Sequence, residues 1–234
     1  MQKIILSSQL FASSIWSVNY FADSHEFISF NQNPLCTLRD LVIERKEICS
    51  PQSSPTIMYN YIGLENIESN NRILINFAPR FGEEIKSNSK IYTKGDILYG
   101  RLRPSLNKVY YVDQNVENGI CSTEIFVLKP ITNLVDPVFL AEMLASDLVN
   151  KAAISLIRGA SLPRIQIDDF LDIKIPLPSM HKQKLYADFI ARNRKQWIAF
   201  RSYAQTAPQY IQESVINSLI DDKPLIDFVE YLRE

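Results

Sequence analysis

The sequence predicts an α+β fold, in which a mixed, mostly antiparallel β-rich domain with a few helices precedes a long C-terminal helix. Three observations lead to this prediction. Between residues 56 and 128, short β-branched and aromatic runs alternate with turn residues, which is typical of a sheet. From Asp136 onward, apolar residues recur every three or four positions, as they do on one face of a helix. After Pro178 this spacing becomes a heptad repeat.

The first elements are less regular than those that follow. Ser14 to Phe30 is predicted as a helix-rich lead-in that ends at the turn Asn31-Gln32-Asn33-Pro34. After a polar turn at residues 50–55, Thr56 to Ile62 has the composition of a strand. Arg72 to Phe77 alternates Ile73, Ile75 and Phe77 with the residues between them, which predicts a half-buried strand.

Three further strands complete the predicted sheet region. They cover Gly95 to Tyr99, Lys108 to Val112 and Glu124 to Leu128. Pro104 and the pair Asn118-Gly119 lie between these runs and favour turns, because proline fixes φ and Asn-Gly tolerates the left-handed conformation.

The next segment is predicted as a helix. Asp136 can cap its N-terminus, and Pro137 suits the first turn, where a missing N–H costs nothing. Arg158 and Gly159 would end it with a cation and a left-handed residue. The apolar residues of this predicted helix are Leu140, Met143, Leu144, Leu148 and Ala152.

A second, longer helix is predicted to begin after Ser179, with Pro208 as a kink or restart. Its heptad seam is the expected interface with a partner helix, and the polar residue within the seam, Asn193, would fix the register. The alternative is a helix that packs only on its own domain. We therefore expect a recognition domain over 1–178, a helical region over 179–220 and an acidic tail over 221–234. The seam residues are Tyr186, Ile190, Asn193, Trp197, Phe200 and Ala204.

Overall charge gives no sign of a nucleic-acid partner, since 25 basic side chains face 26 acidic ones. Positive charge is nevertheless concentrated in two stretches, residues 94–108 and 151–164. Such patches favour phosphate contacts, although a solvated face held by structural ion pairs is an equally good interpretation. The basic residues of the two stretches are Lys94, Arg101, Arg103 and Lys108 in the first, and Lys151, Arg158 and Arg164 in the second.

Catalytic chemistry is not indicated. The six glycines form no phosphate-binding loop, and His25 and His181 have no neighbour at metal-ligand spacing. Asn33-Pro34-Leu35-Cys36 begins like the motif of amino-methyltransferases but lacks its second proline and its aromatic residue, so a turn is the better interpretation. We expect no catalytic residue, no metal and no cofactor.

Three widely spaced cysteines fit neither a disulfide framework nor a metal site, so reduced thiols are expected. The sequence also contains no run of 18 apolar residues and no secretory signal at its start. Together these features predict a cytoplasmic protein.

Several motifs, taken together, resemble those of type I restriction-modification specificity subunits. Gly95 to Leu98, Leu102 to Pro104 and Cys121 to Glu124 follow the order that this family shows. The later segments Gly159 to Ile165 and Ile175 to Pro178 look like the end of its target recognition domain. Members usually carry two recognition domains and two spacer helices, whereas this sequence has one of each and looks like a half-subunit.

The resemblance implies that the chain binds double-stranded DNA without catalysing a reaction. The implied partners are a modification subunit that binds S-adenosylmethionine, with an ATP-driven restriction subunit as an optional third component. Two copies joined through the seam would prefer a two-fold symmetric target. The chain could instead supplement another specificity chain, be a remnant with no working partners, or be an interaction module that has lost DNA binding; an autonomous methyltransferase or nuclease is disfavoured.

Base recognition is expected in residues 66–90, because Arg72, Arg80 and Lys86 carry donors that major-groove edges distinguish. The motif residues are expected to hold the fold or the DNA backbone. The full set of expected DNA-binding residues is Arg72, Arg80, Lys86, Lys94, Arg101, Arg103, Lys108, Arg158 and Arg164.

Overall fold

A computed structural model describes residues 33–159 and 161–221 of the 234-residue chain. The predicted lead-in helix at Ser14 to Phe30 and most of the predicted acidic tail lie outside the described residues. The strands are β1 (Leu35–Thr37), β2 (Val42–Glu44), β3 (Ile48–Cys49), β4 (Met58–Ile62), β5 (Arg80–Phe81), β6 (Ser89–Ile91), β7 (Ile97–Gly100), β8 (Val109–Tyr111), β9 (Gly119–Ser122), β10 (Ile125–Pro130) and β11 (Lys174–Pro176). The α-helices are α1 (Pro137–Leu144), α2 (Asp147–Ser155), α3 (Ile167–Leu171) and α4 (Met180–Asp221).

The strands form three sheets that are mostly antiparallel. One sheet has the order β2-β10-β7-β8, a second has the order β3-β6-β9-β4-β5, and β1 pairs with β11. The pair β4 and β9 is parallel, while the other paired strands run antiparallel. This arrangement, together with the helices, confirms the predicted α+β class.

The central strands β7 and β10 are buried on both faces. Leu98 belongs to an apolar cluster with residues of the second sheet, such as Ile62. Its neighbour Tyr99 points the other way, because side chains alternate along a strand, and it contacts Phe170 of α3 with 4.3 Å between the ring centroids. Burial on both faces explains why Ile97, Leu98 and Tyr99 form a continuous apolar run rather than an alternating one.

Two sequence predictions in this region are wrong. Residues 72–77 form no strand, because Arg72 and Asn76 have φ values of 57° and 49°; Leu74 alone makes an isolated bridge, to Ile67. The helix predicted to reach Arg158 is two helices, α1 and α2, since Ser146 accepts a hydrogen bond from the Val149 N–H and caps a second start. The predicted cap of α1 is confirmed: Asp136 accepts bonds from the N–H groups of the second and third helical residues.

The long C-terminal helix is confirmed as α4, and Pro208 lies inside it rather than between two helices. The chain divides into two compact units between Ala187 and Asp188, so the first two turns of α4 belong to the first unit. There, the buried amide of Gln183 accepts a bond from the Asp136 N–H at 2.8 Å and donates one to the Pro178 carbonyl at 2.8 Å. These bonds fix the beginning of α4 beside the N-terminus of α1.

Candidate nucleic-acid interface

The motif segments of the sequence meet where β7 ends. The Arg101 N–H donates to the Glu124 carbonyl at 2.9 Å, and the Ile165 N–H donates to the Arg101 carbonyl at 3.1 Å. The Arg103 N–H donates to the Pro163 carbonyl at 2.8 Å. Three segments that are far apart in the sequence are therefore joined through their backbones at one place, which we call the motif junction.

A forked ion pair ties the junction together. The Arg164 guanidinium donates to both oxygens of Glu124, with Nε to Oε2 at 3.0 Å and Nη2 to Oε1 at 2.7 Å. The hydrogen bond from Arg164 is the largest cause that lowers the pKa of the Glu124 carboxyl, and partial burial opposes it. The carboxylate is therefore held in its charged form, and the two side chains form a fixed cross-link.

Residues 158–159 and 161–164 form the described part of a short hairpin at the edge of the junction, which we call the 158–164 hairpin. Arg158 and Arg164 exchange backbone hydrogen bonds at 2.8 and 3.0 Å. Gly159 has φ of 92°, a left-handed conformation that glycine adopts without strain. The Arg158 side chain is 67% exposed and reaches Asp169 at 2.6 Å.

Four arginines gather around this junction. Arg101 lies over the ring of Phe126, 5.5 Å from its centroid, while Arg103 is exposed. Glu124 and Asp169 neutralise part of this charge. Four guanidinium groups against two carboxylates leave the surface positive, which suits a polyanion. We call Arg101, Arg103, Arg158 and Arg164 the arginine cluster.

Arg80 is linked to the same junction through the second sheet. Its guanidinium lies over the Tyr61 ring, 5.2 Å from the centroid, and it is 3.8 Å from Glu65. The Tyr61 hydroxyl hydrogen-bonds to Ser122, two residues before Glu124. One of the residues expected to read bases therefore lies near the turn that carries the fork.

The other predicted DNA-binding residues differ in whether their charged group is exposed or already bound to a partner within the protein. Arg72 pairs with Glu142 at 2.5 Å, and Lys108 donates to the carbonyls of Leu64 and Ile67 at 2.7 and 2.6 Å. Burial lowers the pKa of Lys108. Lys86 is exposed but donates to the Glu83 carbonyl, and Lys94 is exposed on the turn before β7. The exposed cations are the better candidates for contacts with DNA.

Two residues of the Lys94-Gly95-Asp96 motif stabilise the turn that precedes β7. The Asp96 carboxylate, 1% exposed, accepts the Thr93 N–H at 2.8 Å and the Arg45 Nε at 3.0 Å. Gly95 supplies the positive φ of 92° that the turn requires. Asp96 therefore stabilises the start of β7 rather than facing a ligand.

The first residue of the α4 heptad seam packs within the first unit. Tyr186 stacks on Phe139 with 6.1 Å between the ring centroids. In the second unit, Trp197 and Phe200 are 38% and 72% exposed. Asn193 donates to the Phe189 carbonyl, one turn earlier, at 2.8 Å, and Ile190 and Ala204 lie along the same helix.

Sequence reasoning missed Gln183 and the fork between Glu124 and Arg164. Gln183 lies on a helix with many polar residues, so nothing in the spacing distinguishes it from its exposed neighbours. Glu124 and Arg164 are both motif residues, but the pairing of two residues 40 positions apart requires the topology of the sheets.

Metal and thiol chemistry finds little support in the described residues. Within 33–159 and 161–221, no three His, Cys, Asp or Glu side chains are grouped so that they could hold a metal ion. Cys36, Cys49 and Cys121 are free, and burial raises the pKa of Cys121 to about 12, so that its thiol stays protonated at neutral pH. In the same residues, no helix combines the length and apolarity that a bilayer crossing requires.

Comparison with protein families assigns the chain to one family. The family described as type I restriction modification DNA specificity domain matches residues 37–199, which include β1 to β11 almost entirely and the motif junction. The chain belongs to this family. The resemblance inferred from the sequence motifs is therefore confirmed.

Individual members of the specificity family agree with this assignment. Over 103 residues the chain is 31% identical to the type I restriction enzyme HindI specificity subunit of Haemophilus influenzae. This aligned stretch covers 43% of the chain and 22% of that subunit. The fold is similar to the HsdS subunit from Thermoanaerobacter tengcongensis, with a TM-score of 0.61, 22% identity, and coverage of 77% of this chain and 47% of that one.

A second solved structure, from work on complex assembly and conformational transition of the type I R-M system, has a TM-score of 0.62 at 21% identity. It covers 82% of this chain and 49% of that chain. The type I S subunit from M. genitalium has a TM-score of 0.54 at 17% identity, with coverage of 82% and 48%. The chain thus spans about half the length of these solved chains.

Proposed function

We propose that the chain is the DNA sequence-specificity component of a type I-like restriction-modification system. In this role it binds double-stranded DNA and positions a methyltransferase subunit, and in some assemblies a restriction subunit, without taking part in bond making or breaking. The observation that carries the proposal is the motif junction, where segments of the specificity family converge and four arginines gather.

The proposed DNA contacts follow from exposure. Arg103, Arg158 and Lys94 are exposed and near the motif strands, so they suit phosphate contacts. Within residues 66–90, Arg80 and Lys86 are better placed for base recognition than Arg72, whose guanidinium is held by Glu142. Exchange of residues 66–90 for those of a relative should change the preferred DNA sequence. An unchanged preference would contradict this assignment.

Two copies are proposed to pair through the seam of α4. Trp197 and Phe200 lie three residues apart on one face of α4 and are both exposed, and a contiguous exposed apolar stripe marks an interaction site; Asn193 would cost stability but fix register. A two-fold pair of identical recognition domains would prefer a symmetric, interrupted target. Size-exclusion chromatography with light scattering should give the mass of a dimer, and Phe200→Asp should shift it to a monomer.

Duplex binding is the direct test of the proposal. Affinity for a labelled duplex should fall steeply as salt rises, because phosphate contacts release counterions. Co-purification of a methyltransferase with the tagged chain should accompany this. If the chain binds no duplex at any salt concentration but still captures a partner protein, it is an interaction module that has lost DNA binding. Methylation by the purified chain alone would refute the non-catalytic role.

A further inference from the structure

We propose that the 158–164 hairpin is a preformed, sequence-independent anchor for the sugar-phosphate backbone of duplex DNA. This inference rests on the proposed function and adds to it the element that grips the duplex. It also separates two tasks within the domain: the hairpin holds the backbone, while residues such as Arg80 select the sequence.

The base of the hairpin is held mainly through its backbone. Arg158 and Arg164 bond each other through backbone groups in both directions, at 2.8 and 3.0 Å. The Arg103 N–H adds a third backbone bond, to the Pro163 carbonyl. The fork from Arg164 to Glu124 closes the fourth connection, to the turn before β10. Since the backbone is held from several sides, little conformational entropy remains to be lost on binding.

The tip of the hairpin combines an exposed apolar residue with flanking cations. Leu162 is 49% exposed and Ser161 is exposed beside it. Arg158, at the base of the hairpin, is 67% exposed on its side chain, and Arg103 is exposed next to Pro163. Asp169 pairs with Arg158 but is itself only 14% exposed, so the guanidinium is the group that solvent and ligands meet.

This combination fits the backbone of a duplex. Guanidinium groups bind phosphate oxygens, and a hydroxyl such as that of Ser161 can donate to them as well. Deoxyribose presents apolar surface between successive phosphates, against which a leucine can pack. Such contacts carry no information about the bases. We therefore expect the hairpin to contribute equally to binding of any sequence.

The test uses the full chain and a random-sequence duplex of about 30 base pairs, long enough for about three helical turns. Arg158→Ala should reduce the slope of log affinity against log salt by about 1, because one phosphate contact is lost. Leu162→Ala should weaken binding about fivefold at one salt concentration, with the slope unchanged, since it removes apolar area and no charge. Leu162 is exposed, so thermal unfolding of Leu162→Ala should be close to that of the wild type. Arg158→Ala leaves the mostly buried Asp169 without its ion pair, so its affinity is measured well below its own unfolding midpoint.

Matched controls come from residues outside the 158–164 hairpin. Arg39→Ala removes an exposed arginine that pairs with Asp172, and Ile43→Ala removes a 58% exposed apolar side chain on the edge strand β2. Both should bind the random duplex like the wild type. Sequences enriched from a random pool should be the same for the wild type, Arg158→Ala and Leu162→Ala.

Each other outcome has a definite meaning. If the wild type binds the random duplex and both hairpin variants bind it equally well, the hairpin is not an anchor, while the proposed function stands. If a hairpin variant enriches a different sequence, the hairpin reads bases and its sequence independence is wrong. If the wild type binds no duplex at all, the proposed function fails and this inference fails with it.

Discussion

The irregular segment at residues 66–79 and the 158–164 hairpin are held in different ways. In the first, polar side chains add to backbone bonds such as that from the Ile75 N–H to the Asn66 carbonyl: the Asn70 Oδ1 accepts a bond from Asn107, and Arg72 pairs with Glu142. In the second, the backbone of Arg158 and Arg164 forms the main connections. Polar side chains that hold a loop are no longer available to a ligand. The Arg158 guanidinium of the hairpin stays 67% exposed although it pairs with Asp169, whereas that of Arg72 in segment 66–79 is 21% exposed.

The residues that fix these two regions also differ in burial. Asn107, which is 6% exposed, and Lys108 donate hydrogen bonds to groups of residues 64–70. Glu124, which holds the hairpin, has a side chain that is 29% exposed. Because water can replace a lost contact at an exposed site but not at a buried one, loss of stability should decrease in the order Asn107, Lys108, Glu124. Three variants test this order.

Asn107→Ala should cause the largest loss, about 3 kcal/mol in the free energy of unfolding, because buried hydrogen bonds and a left-handed backbone are affected together. The amide donates to the Ala145 carbonyl at 2.8 Å and to Asn70 at 3.1 Å, and φ is 47°. Chemical denaturation measures the change.

Asn118→Ala is the matched control for the backbone contribution. Asn118 has φ of 49° but is exposed, and its amide bond to the Met58 carbonyl is 3.3 Å long. It should lose clearly less stability than Asn107→Ala. Equal losses would mean that left-handed strain, and not the buried amide, accounts for the effect.

Lys108→Met should cost about 2 kcal/mol, because the variant removes the ammonium donor from two carbonyl oxygens, of which that of Leu64 keeps only the long bond from the Ile67 N–H, while the apolar stem is kept. The ammonium group donates to both Leu64 and Ile67. Lys94→Met is the control from the same basic stretch, and it should change stability little because Lys94 is exposed. In duplex binding the order should be reversed: Lys94→Met should lower the affinity, and Lys108→Met should bind almost like the wild type. A folded Lys108→Met protein that loses affinity more than Lys94→Met would contradict the assignment.

The pair Lys94 and Lys108 shows what the sequence can and cannot predict about the site. Charge clustering selected both residues, and the motifs selected the region where they lie. The sequence does not show that Lys108 points toward the carbonyls of Leu64 and Ile67, which lie 44 and 41 residues earlier, since that contact depends on how β7 and β8 pair. Local chemistry is visible in a sequence, but the partner of a long side chain is decided by topology.

The fold shows the same division. Strands such as β4 and β10 were predicted within two residues, and Asp136 was correctly predicted as a cap, because turn and cap chemistry is local. The strand predicted at 72–77 failed because an apolar alternation says nothing about φ. Arg72 and Asn76 adopt positive φ, which side-chain contacts with neighbouring elements stabilise against the local preference.

Glu124→Gln should have the smallest effect, and one that depends on pH. The pKa of Glu124 is lowered in the folded protein, mainly by the hydrogen bond from Arg164, so its charge stabilises the fold above the ordinary carboxyl pKa of about 4.3. This contribution is lost as the pH falls through the lower folded pKa, because the carboxylate is then protonated. Glutamine keeps the shape and one acceptor but has no charge to lose.

The difference in unfolding free energy between wild type and Glu124→Gln should therefore be constant near neutral pH and shrink as the pH falls below about 4. Urea denaturation at a series of pH values measures it, with Glu117→Gln as the control, since that carboxyl group is exposed. If the difference stays the same down to acidic pH, the fork does not stabilise the hairpin through its charge. The backbone bonds of Arg158 and Arg164 would then be enough to hold it, and the contrast between the two regions would be sharper still.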